Sequence, residues 1–113
     1  MLEKCGIGID VVNVDRFSSK TFSKNITFYK KIFLKKEIDY CTKFKDPYPH
    51  FAGKFALKEA VIKALNKKIS FLDIETFHQN NVPHVKLKSL PKHTSLSSIS
   101  QEKNMAVSIF LVE

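Results

Sequence analysis

The stretch Phe51-Ala52-Gly53-Lys54-Phe55-Ala56-Leu57-Lys58-Glu59-Ala60-Val61-Ile62-Lys63-Ala64-Leu65 holds helical spacing from end to end. Phe51, Phe55, Ile62 and Leu65 recur on the turn of a helix, and Ala52, Ala56, Ala60 and Ala64 put a methyl group at every fourth position. Such a ridge lets a sheet or a second helix approach the backbone closely. Just upstream, Asp46-Pro47-Tyr48-Pro49 is a start signal, with a capping side chain and prolines for the first turn. A helix is therefore expected over 50–66.

Downstream of about residue 69 the period changes to two. Phe71–Phe77 and Val85–Leu90 read as a hairpin across His78-Gln79-Asn80-Asn81, since asparagine tolerates left-handed turn geometry. Leu96–Ser100, within a serine-rich tract at 95–100, and Ala106–Val112 read as further strands. Upstream, Cys5–Val12 alternates as a strand does: Ile7, Ile9 and Val11 on one face, Gly6, Gly8 and Asp10 on the other. Two glycines beside a carboxylate leave room for a ligand or for a closely packed helix. Residues 13–45 are helical and irregular by turns, with Phe17, Phe22, Phe28, Phe33 and Leu34 for apolar contacts and a short amphipathic helix over Leu34–Cys41. The order strand, helices, strands argues for an α+β fold: one domain spanning 1–113, with a small antiparallel sheet packed against one long helix and additional short helices.

Composition narrows the function. No apolar run reaches the roughly 20 residues of a membrane span, and Glu3 and Asp10 interrupt the N-terminal apolar stretch, which does not suit a secretory signal. Cys5 and Cys41 form no CxxC pair and read as reduced thiols of a cytoplasmic protein. The net charge of +8 falls entirely within residues 1–68, where 15 Lys/Arg face 7 Asp/Glu. Arg16 is the only arginine. Nucleic-acid recognition favours the bidentate guanidinium, so a lysine surface better suits an anionic cofactor or an acidic protein; biased residue usage also accounts for many lysines. A basic, non-enzymatic binding module is the alternative from another class. The histidines His50, His78, His84 and His93 lack metal-site spacing and read as loop and strand residues.

Two blocks carry more than this. Gly6-Ile7-Gly8-Ile9-Asp10-Val11-Val12, with Arg16 six residues past the aspartate, and the helix Phe51–Leu65, in this order and at this separation, resemble the signatures of the short 4′-phosphopantetheinyl transferases, the holo-acyl-carrier-protein synthase family. The resemblance runs nearly from Cys5 to Val112. It implies transfer of 4′-phosphopantetheine from coenzyme A to a carrier-protein serine, with release of 3′,5′-ADP, in fatty acid biosynthesis. It further implies a homotrimer with coenzyme A bound between subunits, Mg²⁺ held by Asp10 and Glu59, and an acyl carrier protein as acidic partner. The physical logic agrees: displacement at a pyrophosphate requires charge on non-bridging oxygens to be neutralised, and Mg²⁺ takes one or two carboxylates plus waters and phosphates.

On the helix Glu59 shares a face with Lys63, which reads either as an ordinary surface ion pair or as a lysine placed beside the metal. Lys54 and Lys58, one turn apart, are expected to cradle the cofactor's other phosphates, and Arg16 to touch the carrier protein. Three departures from the family pattern stand out, one of them the absence of an acidic residue near Asn13. Gln101 occupies a position usually held by histidine, and Asn81-Val82-Pro83 stands where Gly-Lys-Pro is usual. Gln101 and Pro83 remain expected cofactor contacts, but glutamine carries no charge, and a weakened transferase-like protein that keeps the fold and trimer but little turnover is a further alternative.

Overall fold

The computed structural model describes residues 4–113; Glu3, part of the argument against a secretory signal, lies outside the described residues. Strand β1 (Gly6–Asn13) leads into three short helices, α1 (Asp15–Ser18), α2 (Ile26–Lys30) and α3 (Lys35–Thr42), then the long helix α4 (Tyr48–Leu65). Strands β2 (Ile74–Gln79), β3 (Val82–Leu87), β4 (Ser95–Glu102) and β5 (Met105–Val112) complete the chain. The strands form two sheets: an antiparallel three-stranded sheet in the order β1-β5-β4, and a separate β2-β3 hairpin.

Local chemistry sets the ends of α4. The Tyr48 N–H donates to Asp46 Oδ1 at 3.2 Å, Pro49 occupies the first turn where no intrahelical N–H is required, and Asn66 stops the helix at φ 52°. The hairpin turns at Asn80 and Asn81, both left-handed (φ 53° and 63°), the geometry of a two-residue turn matched to strand twist. The strand therefore starts later than the alternation suggests. Phe71–Asp73 is a 3₁₀ turn with its Leu72 N–H on Ser70 Oγ, and pairing begins at Ile74. His50 lies in the first turn of α4, not in a loop or strand.

The glycine face of β1 belongs to the helix. A Cβ at Gly8 would sit 1.8 Å from the Ala60 carbonyl oxygen, and one at Gly6 only 2.4 Å from that of Ala64. Strand numbers rise as helix numbers fall, so β1 and α4 run antiparallel in backbone contact. The alanine ridge and the two glycines are halves of one interface, and no ligand fits between them.

Two cores flank α4. On one side Phe17 meets Phe28, Tyr29, Phe33, Phe51 and Phe55, with centroids 5.5–6.4 Å apart. Truncating such a buried aromatic costs about 3–5 kcal/mol. On the other side Leu57, Val61, Ile74, Leu87 and Phe110 bury the hairpin and β5 against the helix. The far face of the three-stranded sheet has no such cover. Ile7 (64% exposed), Ile9 (57%) and Leu96 (71%) lie there with Val11, Ile109 and Leu111, in rows such as Ile7–Leu111–Leu96.

Candidate active site

After the two glycines, the next side chain on that face of β1 is Asp10. The Lys63 ammonium reaches across from α4 and donates to the Ile9 carbonyl (2.9 Å) and to Asp10 Oδ1 (3.0 Å). Lys63 is about half exposed, so its third N–H faces solvent. Glu59, one turn before Lys63 and next to the Ala60 that touches Gly8, makes no hydrogen bond or ion pair among the described residues. Lys63 thus pairs with the strand aspartate rather than with its helical neighbour. Asp10 and Lys63 meet between β1 and α4, and Glu59 lies one turn before Lys63 on the same helix.

The donor set there suits a hard divalent cation: two carboxylates, one with an oxygen uncommitted and one wholly so. Among the described residues no group of three His, Cys, Asp or Glu side chains could enclose a metal. Mg²⁺ needs no such cage: one or two carboxylates, with waters and substrate oxygens completing its shell, suffice, and Asp10 and Glu59 fit that donor set.

The other half of α4 departs from expectation. Lys58 is fully buried, and its ammonium donates to the Ile32 carbonyl (2.8 Å), the Phe71 carbonyl (2.9 Å) and Glu37 Oε1 (2.7 Å). All three N–H groups are spent inside the protein, so Lys58 has none for a phosphate. Lys54, 2% exposed, donates to the carbonyl and hydroxyl of Thr76 and faces the Tyr40 ring. Burial holds both ammonium groups below the usual lysine range, with Glu37 opposing the shift. The expected two-lysine phosphate cradle is instead a structural knot of α3, α4 and β2.

Its centre, Glu37, is absent from the sequence reading. Glu37 Oε1 also accepts the Leu34 N–H (2.7 Å) at the start of α3, while Oε2 accepts the N–H and hydroxyl of Thr76. The cue was available: a lone glutamate in the first turn of a lysine-rich helix, where its charge complements the helix dipole.

The remaining candidates lie away from this junction. Gln101 Nε2 donates to the Pro49 carbonyl (2.7 Å) and would lie 2.9 Å from a Cβ at Gly53. It pairs with Ala106 in the sheet, whereas Asp10 pairs with Ser108. A cavity of about 170 Å³ opens there, lined by Tyr40, His50, Lys54, His78, Ile99 and Gln101. Pro83 sits opposite His78 in the hairpin, its carbonyl accepting from Ser97 Oγ at 2.7 Å. The Arg16 guanidinium, on α1, is exposed and lies 4.7 Å from the centre of the Phe55 ring.

Comparison with known proteins gives a consistent result. Residues 6–110 match the model of the 4′-phosphopantetheinyl transferase superfamily. The chain is 37% identical over 110 residues to a holo-[acyl-carrier-protein] synthase of Thermodesulfovibrio yellowstonii, covering 95% of this chain and 96% of that protein. It is 36% identical over 117 residues to a protein of the same name from Chlamydia felis, covering 96% of each. Among solved structures it resembles the Helicobacter pylori holo-[acyl-carrier-protein] synthase in complex with coenzyme A (TM-score 0.82, 32% identity, 95% of this chain and 99% of that one). It also resembles the Bacillus anthracis synthase in complex with CoA (3′,5′-ADP), at TM-score 0.81 and 30% identity, covering 96% and 95%.

Proposed function

This chain belongs to the 4′-phosphopantetheinyl transferase superfamily, and from that premise we infer that it acts as a holo-acyl-carrier-protein synthase. It transfers the 4′-phosphopantetheine group of coenzyme A to a serine of apo acyl carrier protein. The serine oxygen bonds to phosphorus, the pyrophosphate P–O bond breaks, and 3′,5′-ADP leaves. The observation that supports this reading is the Lys63–Asp10 pair, with Glu59 one helical turn from Lys63, on a strand and helix held in backbone contact by Gly6 and Gly8.

Asp10 and Glu59 are the residues that would hold Mg²⁺. When bound there, Mg²⁺ neutralises charge on the phosphate oxygens. Lys63, fixed by Ile9 and Asp10, keeps one N–H for a phosphate oxygen and adds positive charge where the leaving group departs. Both anchors come from the strand, so the ammonium is held in place before substrate arrives.

The uncovered apolar face of the β1-β5-β4 sheet supports a homotrimer. Pro83 and Gln101 do not join Asp10 within one chain, and a site shared between subunits accounts for that separation. Sedimentation at three times the chain mass, lost in Ile9→Lys, is the expected outcome. For the carrier protein we assign Arg16 and the segment from Asp15 to Lys45, where nine Lys/Arg face three Asp/Glu. A cytoplasmic location fits such a partner; no described helix is long and apolar enough to cross a membrane.

Mass spectrometry tests the activity. An apo carrier protein incubated with this chain, coenzyme A and Mg²⁺ should gain one phosphopantetheine, with equimolar 3′,5′-ADP. An unchanged mass with a folded carrier at high enzyme concentration would refute it.

A further inference from the structure

The turn that follows α1 is held by phenols from two other elements, and the transfer chemistry makes no use of them. Tyr29, on α2, is fully buried, and its hydroxyl donates to the Phe17 carbonyl (2.8 Å) and the Lys20 carbonyl (2.7 Å). A tyrosine hydroxyl has one proton, so the two carbonyls share it. Burial pushes the phenol well above its ordinary range, which keeps it a donor through neutral and mildly alkaline pH. The Phe17 carbonyl also accepts the Lys20 N–H at 2.9 Å, whereas the Lys20 carbonyl has only Tyr29 among the described residues. Tyr48, the first residue of α4, accepts the Phe22 N–H at 3.1 Å. Backbone groups at both ends of the turn 18–21 are thus fixed by side chains from α2 and α4.

The clamped segment carries two cations, each seated on an aromatic ring. The Arg16 guanidinium lies 4.7 Å from the centre of the Phe55 ring, and the Lys20 ammonium 4.5 Å from that of Phe28. Both residues are exposed, and neither forms a salt bridge among the described residues. Asp15, the carboxylate next to Arg16, accepts from the Ser18 hydroxyl at 3.4 Å instead. A long cationic side chain ordinarily gives up much of its freedom when it meets a partner. One already seated on a ring, on a backbone already fixed, has less to lose.

We propose that the Tyr29 hydroxyl is a positioning group for the carrier protein: through the Phe17 and Lys20 carbonyls it fixes the backbone between Arg16 and Lys20 and presents the two cations as a preset pair to carboxylates of that partner. The inference rests on the carrier-protein function proposed above, and it assigns to recognition a buried group that touches neither substrate. Without the hydroxyl, the Lys20 carbonyl turns to water, the turn 18–21 swings with it, and the two cations leave their rings. The core keeps its packing, since phenylalanine retains the ring contacts of Tyr29 with Phe17, Phe22 and Phe51. The loss therefore falls on the carrier and not on Asp10 and Lys63, which β1 and α4 hold.

Steady-state rates of the full chain, with apo acyl carrier protein and coenzyme A varied in turn, test this beside the melting temperature of each variant. Tyr29→Phe should raise the carrier KM several-fold and leave kcat and the KM for coenzyme A unchanged. In a chain that already carries Arg16→Ala and Lys20→Ala, and whose carrier KM is itself raised, Tyr29→Phe should add nothing further. Tyr48→Phe removes an acceptor that is only half-buried, and should raise the carrier KM in the same way by less; it decides the matter if Tyr29→Phe does not fold. Ile74→Val, in the other core, lowers the melting temperature without touching the turn and should leave the carrier KM as it is. Four results overturn the proposal: an unchanged carrier KM in the folded tyrosine variant, an equal rise in the KM for coenzyme A, a full further rise in the triple variant, or the same rise in Ile74→Val. If Arg16→Ala with Lys20→Ala still raises the carrier KM in such a case, the clamp falls and the carrier assignment stands. A wild type that modifies no carrier protein overturns the functional reading as well.

Discussion

Lys54 and Lys58 on one half of α4, and Lys63 on the other, are the same residue type on the same helix, yet they do different work. The first two are buried and spend their donors on Thr76, Ile32, Phe71 and Glu37. Lys63 stands half exposed with its charge against Asp10. The N-terminal half is tied into α3 and β2 by a closed polar network; the C-terminal half is laid against β1 through glycine and leaves its functional groups open. The satisfied half ties the helix to its neighbours, and the open half carries the residues proposed to act on the substrate.

The sharpest way to break this comparison is to remove charge from each half in turn. Lys58→Met leaves the Glu37 carboxylate buried without its cation, which commonly costs about 3–5 kcal/mol. Chemical denaturation should show a loss of that size or no folded protein at all, and any folded fraction should still modify the carrier protein. A fully stable Lys58→Met would mean the knot does not hold the helix. Asp10→Asn and Glu59→Gln should do the reverse: keep the unfolding midpoint, and lower turnover at least about a hundredfold, since removing a preorganised charge stabiliser costs 10²–10³ in rate. Chelation of Mg²⁺ should reproduce that loss.

Smaller effects refine the picture outside α4. If the lysines of α1–α3 and Arg16 attract an acidic carrier, the KM for carrier should rise several-fold from low to physiological salt. Arg16→Ala should raise that KM alone and leave the KM for coenzyme A unchanged. A carrier KM flat with salt would assign those lysines to composition instead. The smallest change expected is for Gln101→His, which adds a third imidazole to the cavity lined by His50 and His78. A charged hydrogen bond is roughly twice as strong as a neutral one, so coenzyme A should bind several-fold more tightly below about pH 6.5, with no gain at pH 8. Equal affinities at both pH values would place residue 101 away from the phosphates.

These contrasts also mark what the sequence could tell. The helix at 50–66, the alternation at 5–12 and the asparagine turn were legible because each rests on local spacing or backbone preference. The α+β order followed from them, while the two signature blocks carried meaning only through the family resemblance. What the small face of β1 meets was not legible, because Gly6 and Gly8 admit a helix as readily as a ligand. Nor was the division among the lysines. Periodicity places Lys54 and Lys58 one turn apart, but whether that side of the helix meets water depends on Glu37 and Thr76, which lie 17 or more residues away in sequence. Buried ion pairs are made by tertiary contacts between distant segments, and they leave only faint local traces.

The division of α4 also decides the most direct test, a single residue read two ways. Lys63→Met keeps the length and apolar stem of the side chain and removes the ammonium that lies against Asp10. Apo acyl carrier protein, incubated with coenzyme A, Mg²⁺ and either wild type or this variant, is followed by mass spectrometry alongside thermal unfolding of each enzyme. Wild type should convert the carrier to its phosphopantetheinylated form, while Lys63→Met, folded and melting within a few degrees of wild type, should do so at least about a hundredfold more slowly. A Lys63→Met enzyme that modifies the carrier at the wild-type rate would contradict the account.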